Sequence, residues 1–249
     1  MSAETAEYPF THEMYKDMLS RFLDMGYCFS FFEDATELLD SGDPFILLRH
    51  DIDFDLRHLV PLLEIEQQLG IRSTVFIQVR SEFYNPFCYP ESQIIADLVS
   101  AGHRIGLHCD CELYPVETDP EVVAYYCQRE RQLLESWFEI DIGIVSFHRP
   151  AKNVLSADRS ITGGVPHTYL PLFTKSITYC SDSTGEWRFG HPLDLQATAD
   201  RRPLQILVHP VWWQNKNQSP QETLDMFVRQ SGKRLQIDLA KCISPHRGS

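Results

Sequence analysis

The residues best suited to chemistry fall in five short clusters: Arg49-His50-Asp51-Ile52-Asp53, His108-Cys109-Asp110, His148-Arg149-Pro150, Ser181-Asp182-Ser183 and His209-Pro210. Carboxylates and imidazoles together form the donor set of a hard or borderline divalent cation, zinc among them. Asp51 and Asp53 stand two residues apart, so an extended backbone sends both side chains to one face. One can then bind a cation while its neighbour accepts a proton from water. A cation held among such groups lowers the pKa of its water towards about 7, which makes hydroxide available near neutrality. The chemistry indicated is metal-assisted hydrolysis.

Each cluster continues a short apolar run, at residues 45–48, 104–107, 142–147, 177–180 and 204–208, and a sixth run lies at 74–79. All have strand length and polar or turn residues at their ends. Between them the spacing predicts helices over 55–69 with Gly70 as stop, 92–101 before Gly102, 119–137 opening on Asp119-Pro120, and 219–230 opening on Ser219-Pro220. Two more, 11–25 and about 33–39, precede the first strand. Strand and helix in turn favour parallel strands with helical crossovers, in an open doubly wound sheet or a barrel. In both, the C-terminal strand ends converge on one cleft, which is where the five clusters fall. No GxGxxG follows a strand and no GxxxxGK[ST] occurs, so a barrel-like α/β domain is favoured over dinucleotide and P-loop folds.

Composition narrows the partners. The 249 residues are 43% apolar and 23% charged, as in folded soluble chains, and are read as a single domain, 1–249, whose segment 1–43 is a helical addition packed on the barrel. Acids outnumber bases 35 to 22, for a net charge of −13 without a basic cluster, which disfavours nucleic acid and anionic membranes as partners. No apolar run approaches the roughly 20 residues of a membrane span. Met1 to Pro9 carries Glu4 and Glu7 and neither a basic nor an apolar signal region, so a cytoplasmic location is expected. Seven cysteines without a CxxC pair predict no disulfide framework, and Cys109-x-Cys111 lacks the second ligand pair of a zinc site. His50, His58, His103 and His167 are read as hydrogen-bonded structural residues, and Asp55 as the acid that starts its helix.

The motif order His50-Asp51-Ile52-Asp53, Gly102-His103-Arg104-Ile105-Gly106-Leu107-His108, Phe147-His148-Arg149-Pro150 and Leu207-Val208-His209-Pro210 resembles the polysaccharide deacetylase superfamily (NodB homology, carbohydrate esterase 4-like). It is most similar to the divergent bacterial members with HDxD and GLHxD patterns. The resemblance runs over roughly residues 45–213 and is carried by motif order more than by any one motif. It implies a distorted (β/α) barrel of about seven strands. It also implies a divalent metal, zinc by preference, and hydrolysis of an N-acetyl group from an amino sugar, so the expected partner is a carbohydrate. By motif, Asp51 corresponds to the catalytic base, Asp53 and His108 to metal ligands, and His209 to the general acid.

One position departs from the pattern. The superfamily's second histidine falls four residues after the first, where this chain has Glu112. Glu112, Asp110 and His148 are each candidates for the third ligand, and His148 is preferred because imidazole suits zinc and it stands at a strand end. Arg149 then orients the base or holds substrate. The polar loop from Ser181 to Trp187 reads as a sugar-binding edge, with Trp187 stacking on a ring face and Asp182 binding hydroxyls or Arg149. Trp213, beside Trp212, is expected to line the acetyl pocket. The substrate expected of a chain without an export signal is a cytoplasmic intermediate of surface-glycan assembly. Two rival readings keep the fold: hydrolysis of a small amide or ureide, and an inactive glycan-binding homologue.

Overall fold

The computed structural model describes residues 8–114, 119–150 and 152–243. The signal-region expectation for residues 1–7 and both outer ends of the 1–249 domain lie outside them. The elements are α1 (His12–Asp24), β1 (Cys28–Ser30), α2 (Ala35–Ser41), β2 (Phe45–Asp51), α3 (Val60–Leu69), β3 (Thr74–Ile77), α4 (Glu91–Ser100) and β4 (Arg104–Asp110). They continue with α5 (Pro120–Phe138), β5 (Val145–His148), α6 (Lys152–Leu155), β6 (Thr178–Ser181), α7 (Gln196–Ala199), β7 (Leu204–Val208) and α8 (Pro220–Ile243). Every strand pairing is parallel, in the order β5-β4-β3-β2-β7-β6, and the sheet curls into a half-barrel flanked by helices. The distorted (β/α) barrel is therefore the fold. Among the described residues no helix is long and apolar enough to cross a membrane.

Strand β2 is the axis. It is buried at every residue, with β7 on one side and β3 on the other. Alternation sends Phe45, Leu47, Arg49 and Asp51 to one face and Ile46, Leu48 and His50 to the other. Phe45 and Leu47 join Phe76, Ile144, Phe173 and Ile177 in a small inner core towards the N-terminal strand ends. Ile46 and Leu48 join the large outer core, where α1 contributes the helical stripe Tyr15, Met18, Leu19 and Phe22. Apolar side chains thus plug the barrel below, and charge begins one layer higher, at Arg49. Gly106 of β4 makes room for that layer: a Cβ there would meet the Phe76 ring at 2.5 Å, and Arg49 lies over the same ring at 5.3 Å.

Four elements differ from the sequence expectation. Strands β2 and β4 run on through Asp51 and Asp110 rather than stopping at Leu48 and Leu107, because neighbouring strands still pair with the charged segments: β7 with Arg49 and His50, β3 with Arg49 to Asp51, and β5 with His108 to Asp110. The segment before residue 43 is not wholly helical, since β1 pairs with residues 45–47 on the edge of β2 that β3 takes at 49–51. Helix α8 extends to Ile243, well past residue 230; Phe227 packs against Phe54 and Phe83, and Arg234 reaches Asp55 at 2.8 Å.

Candidate active site

The C-terminal strand ends open into a cleft of 560 Å³ lined by Asp51, Asp53, His108, His148, His209 and their neighbours. A smaller lobe of 230 Å³ adjoins it and shares Asp53, Phe54, His148 and Arg149. Asp53 lies two residues beyond Asp51, just past the end of β2. His108 lies on β4, and His148 ends β5, where the register sets it opposite Asp110. One oxygen of Asp53 is 3.0 Å from His108 Nε2 and 3.1 Å from His148 Nδ1. The ligand atoms of these three residues all lie within 4.8 Å of one another.

The ring of His108 is set from behind. Its Nδ1 is 2.7 Å from Ser146 Oγ, which leaves Nε2 turned towards Asp53. Burial alone would raise the Asp53 carboxyl, but the facing imidazoles of His209, His108 and His148 hold it well below the usual carboxylate range. Burial would likewise lower His148, yet its contact with Asp53 raises it. A carboxylate and two imidazoles on one spot fit a borderline divalent cation, and three protein ligands leave a coordination position open. Asp110 and Glu112 are turned elsewhere: both hold Arg149, Glu112 at 2.7 Å from its Nη1.

Asp51 is the most constrained acid of the cleft. Arg49 Nε and Nη2 donate to its two oxygens at 2.9 and 2.7 Å, a forked pair with both side chains buried. Burial pushes the Asp51 carboxyl up, and Arg49 with His108 outweighs it, so the group stays ionised. The fork is fixed in turn, because Arg49 Nη1 donates to Gln205 Oε1 at 3.0 Å and Gln205 Nε2 donates to the Phe173 carbonyl. The guanidinium that orients Asp51 is therefore Arg49 and not Arg149, which corrects that part of the expectation.

His209, just past β7, is held by Asp182, just past β6. Asp182 Oδ1 lies 2.6 Å from His209 Nδ1, and both its oxygens accept the His209 backbone N–H at 3.0 Å. Trp213 Nε1 donates to Asp182 Oδ2 at 2.8 Å. Burial would lower the His209 imidazole, but the charges of Asp182 and Asp53 raise it to about 9. Its Nε2 faces Asp53 at 3.7 Å.

This arrangement corrects the three substrate-binding expectations. Asp182 is fully buried and spends its oxygens on His209 and Trp213, so it offers nothing to a sugar hydroxyl. Trp213 is buried against Tyr15 and Phe10, and Trp212 takes its place on the cleft wall. Trp187 packs against Phe10, His191 and Trp213 rather than facing the cleft.

Two residues that sequence reasoning passed over matter here. Arg49 had a signal, since a cation two positions before an acid on a strand shares its face. Ser146 had one only through the sheet register that sets it opposite His108. His50 and His103 both lie on the outer side of the sheet, around Glu66. Cys109 also faces away from the cleft, against α5, its sulfur 2.7 Å from that of Cys127, and all cysteines are free.

No family model and no curated protein sequence matches the chain. Among solved structures it is similar to the Streptococcus pyogenes deacetylase PplD in complex with acetate, at 14% identity and a TM-score of 0.48, over 90% of this chain and 92% of that one. It is also similar to the chitin deacetylase of the fungal pathogen Colletotrichum lindemuthianum, at 15% identity and a TM-score of 0.46, over 76% of this chain and 84% of the other.

Proposed function

We propose that the protein is a metal-dependent amide hydrolase that removes the N-acetyl group of an amino sugar. The observation that carries the reading is the convergence of Asp53, His108 and His148 in a cleft that also presents a fixed carboxylate, Asp51, and a fixed imidazole, His209. Asp53, His108 and His148 hold the cation, zinc by preference. When bound there it supplies Lewis acidity, polarising an acyl carbonyl and lowering the pKa of water.

The other residues act on protons. Asp51 accepts one from the attacking water, and the Arg49 fork keeps its carboxylate ionised and aligned for that step. His209 carries the proton that the departing amine needs. Asp182 keeps that imidazole protonated near neutrality, fixes its orientation, and leaves Nε2 towards the cleft. Base and acid thus face one cleft with opposite charge states, a pairing that lets each act at the same pH. Arg149, half-exposed at the junction of the two lobes, is assigned to substrate holding.

The test is elemental analysis of the purified protein beside Asp53→Ala and His108→Ala, followed by acetate release from N-acetylated sugars. About one divalent ion per chain, lost in both variants, with acetate released by the wild type alone, is the expected result. A metal-loaded wild type that cleaves only non-sugar amides redirects the substrate. A protein that takes up no zinc, cobalt or nickel overturns the reading in favour of a binding module.

A further inference from the structure

The ionised side chains that line the 560 Å³ cavity are matched inside the protein with one exception. Asp51 is matched by Arg49, Arg149 by Asp110 and Glu112, and His209 by Asp182, while Asp53 faces the imidazoles. Arg188 lines the same cavity, and among the described residues its guanidinium has no carboxylate partner. Its one hydrogen bond goes to an uncharged acceptor: Nη2 donates to Thr184 Oγ1 at 3.1 Å.

The segment bearing Arg188 is built rather than loose. At its start, Asp182 is locked to His209, the Ser183 N–H donates to Ser181 Oγ, and the Gly185 N–H donates to the Asp182 carbonyl. Gly185 has φ +75° and leaves no room for a Cβ, which would meet Pro220 Cγ at 2.8 Å. Trp187 is pinned among Phe10, His191 and Trp213, and the Gly190 N–H closes a turn onto its carbonyl. Arg188 is therefore presented from a fixed frame that shares Asp182 with the catalytic imidazole.

We infer that Arg188 is an anion subsite and that the substrate carries a carboxylate or a phosphate beside its amide. A chain of net charge −13 repels anions over most of its surface, so an unmatched guanidinium at the cleft is the place that draws one in. Arg188 is exposed, so it meets an oxyanion at the rim of the cleft that Tyr179 and Trp212 also line, where the guanidinium fork binds either kind in a two-point fashion. The substrate class is then an anionic N-acylated amino sugar, a phosphate ester or a sugar acid, in place of a neutral glycan chain. What is cleaved rests on the hydrolase reading; the anion subsite does not.

The experiment is calorimetric binding of N-acetylglucosamine, N-acetylglucosamine 6-phosphate and N-acetylmuramic acid to the protein as purified, with acetate release followed on the same three compounds. At least one anionic sugar is expected to bind about 10- to 100-fold tighter than the neutral one, as a charge-assisted hydrogen-bonded pair provides. Which of the two does so separates phosphate from carboxylate. In Arg188→Gln the preference collapses, in Arg188→Lys it returns in part, and in Arg129→Gln, the same charge change on the far helix α5, it persists. Unchanged thermal unfolding of the Arg188 variants shows that the frame is intact. Equal binding of all three sugars, no anion-dependent binding at all, or a preference that survives Arg188→Gln overturns the inference. An Arg188-dependent preference without acetate release leaves the subsite standing and removes the hydrolase reading.

Discussion

Two buried charge clusters lie back to back on strand β2, one residue apart. On the inner face Arg49 and Asp51 form a forked pair, with Asp53 and its imidazoles above it. On the outer face His50 Nε2 lies 2.7 Å from Glu66 Oε1, which also accepts from the Tyr15 hydroxyl, while Glu66 Oε2 accepts from Ser73. Both hold carboxylates and histidines, and both are cut off from bulk water at their base. They differ in what lies above them. The inner cluster opens into a 560 Å³ cleft, whereas the outer one is capped by α1 and α3, with every Glu66 oxygen engaged by the protein. A buried polar group without access to a ligand is structural, whatever its resemblance to a site; access, more than composition, separates the two.

The largest expected effects pull the two faces apart. Glu66→Ala removes the acid at the centre of the outer network, leaving Tyr15 and His50 only each other, at 3.4 Å, and the Ser73 hydroxyl only His103. Loss of one member of such a buried cluster costs about 3–5 kcal/mol, to be read by denaturant unfolding, with metal content unchanged in the protein that folds. Asp53→Ala abolishes metal uptake, and it takes the carboxylate partner from His108 and His148, so it lowers stability by about 1–3 kcal/mol, less than Glu66→Ala because these groups open onto the cleft. Equal metal loss in both variants would erase the distinction between the faces.

Arg49→Met combines the two behaviours. It strands Asp51 and Gln205 in the barrel, for about 3–5 kcal/mol of stability, and frees the Asp51 carboxyl to rise towards the ordinary range. Acetate release should fall and its acid limb should move to higher pH, since the base then protonates sooner as pH drops. A variant that loses stability but keeps the wild-type acid limb would reduce Arg49 to a purely structural role.

The acidic pair of the inner cluster was legible because it is local. Asp51 and Asp53 sit in one strand and its exit, and alternation alone puts them on one face, so residues two apart could be assigned from the chain. The same is true of the apolar runs of β2, β4 and β7, whose ends mark the cleft. What could not be read depends on register and on which loop side chains turn inwards. Ser146 reaches His108 only because β5 pairs with β4 at that offset. Asp182 and Trp213 have the composition of a sugar site and are instead sealed beneath His209, a distinction set by burial. Arg49 and Arg149 lie one hundred residues apart with similar neighbours in sequence, and only the barrel decides which of them meets Asp51.

Asp182→Asn sharpens the comparison through pH. His209 is raised to about 9 in the folded protein, above the 6.5 of an unperturbed imidazole, so its contribution to stability is present below about 6.5 and is lost as pH rises through about 9. Replacing the charge of Asp182 with an amide keeps an acceptor for Trp213 but removes the first of the charges that raise the imidazole. The decline in stability between pH 6.5 and 9 should become shallower. The alkaline limb of acetate release should move down by about one pH unit or more, as expected when a general acid loses its counter-ion. An alkaline limb unchanged in the variant would take His209 out of the acid role.

The smallest expected effect comes from Ser146→Ala. The hydroxyl is not one of the candidate metal ligands; it holds His108 Nδ1 at 2.7 Å and so turns Nε2 towards Asp53. Groups that orient a metal-bound imidazole typically contribute 10- to 100-fold in affinity, so the alanine variant should still bind a divalent ion but about that much more weakly in a chelator competition. Ser146→Thr keeps the hydroxyl and should restore most of the affinity. If alanine and threonine bind equally well, the Ser146 contact is packing alone, and the inner cluster owes the His108 orientation to the β4 backbone.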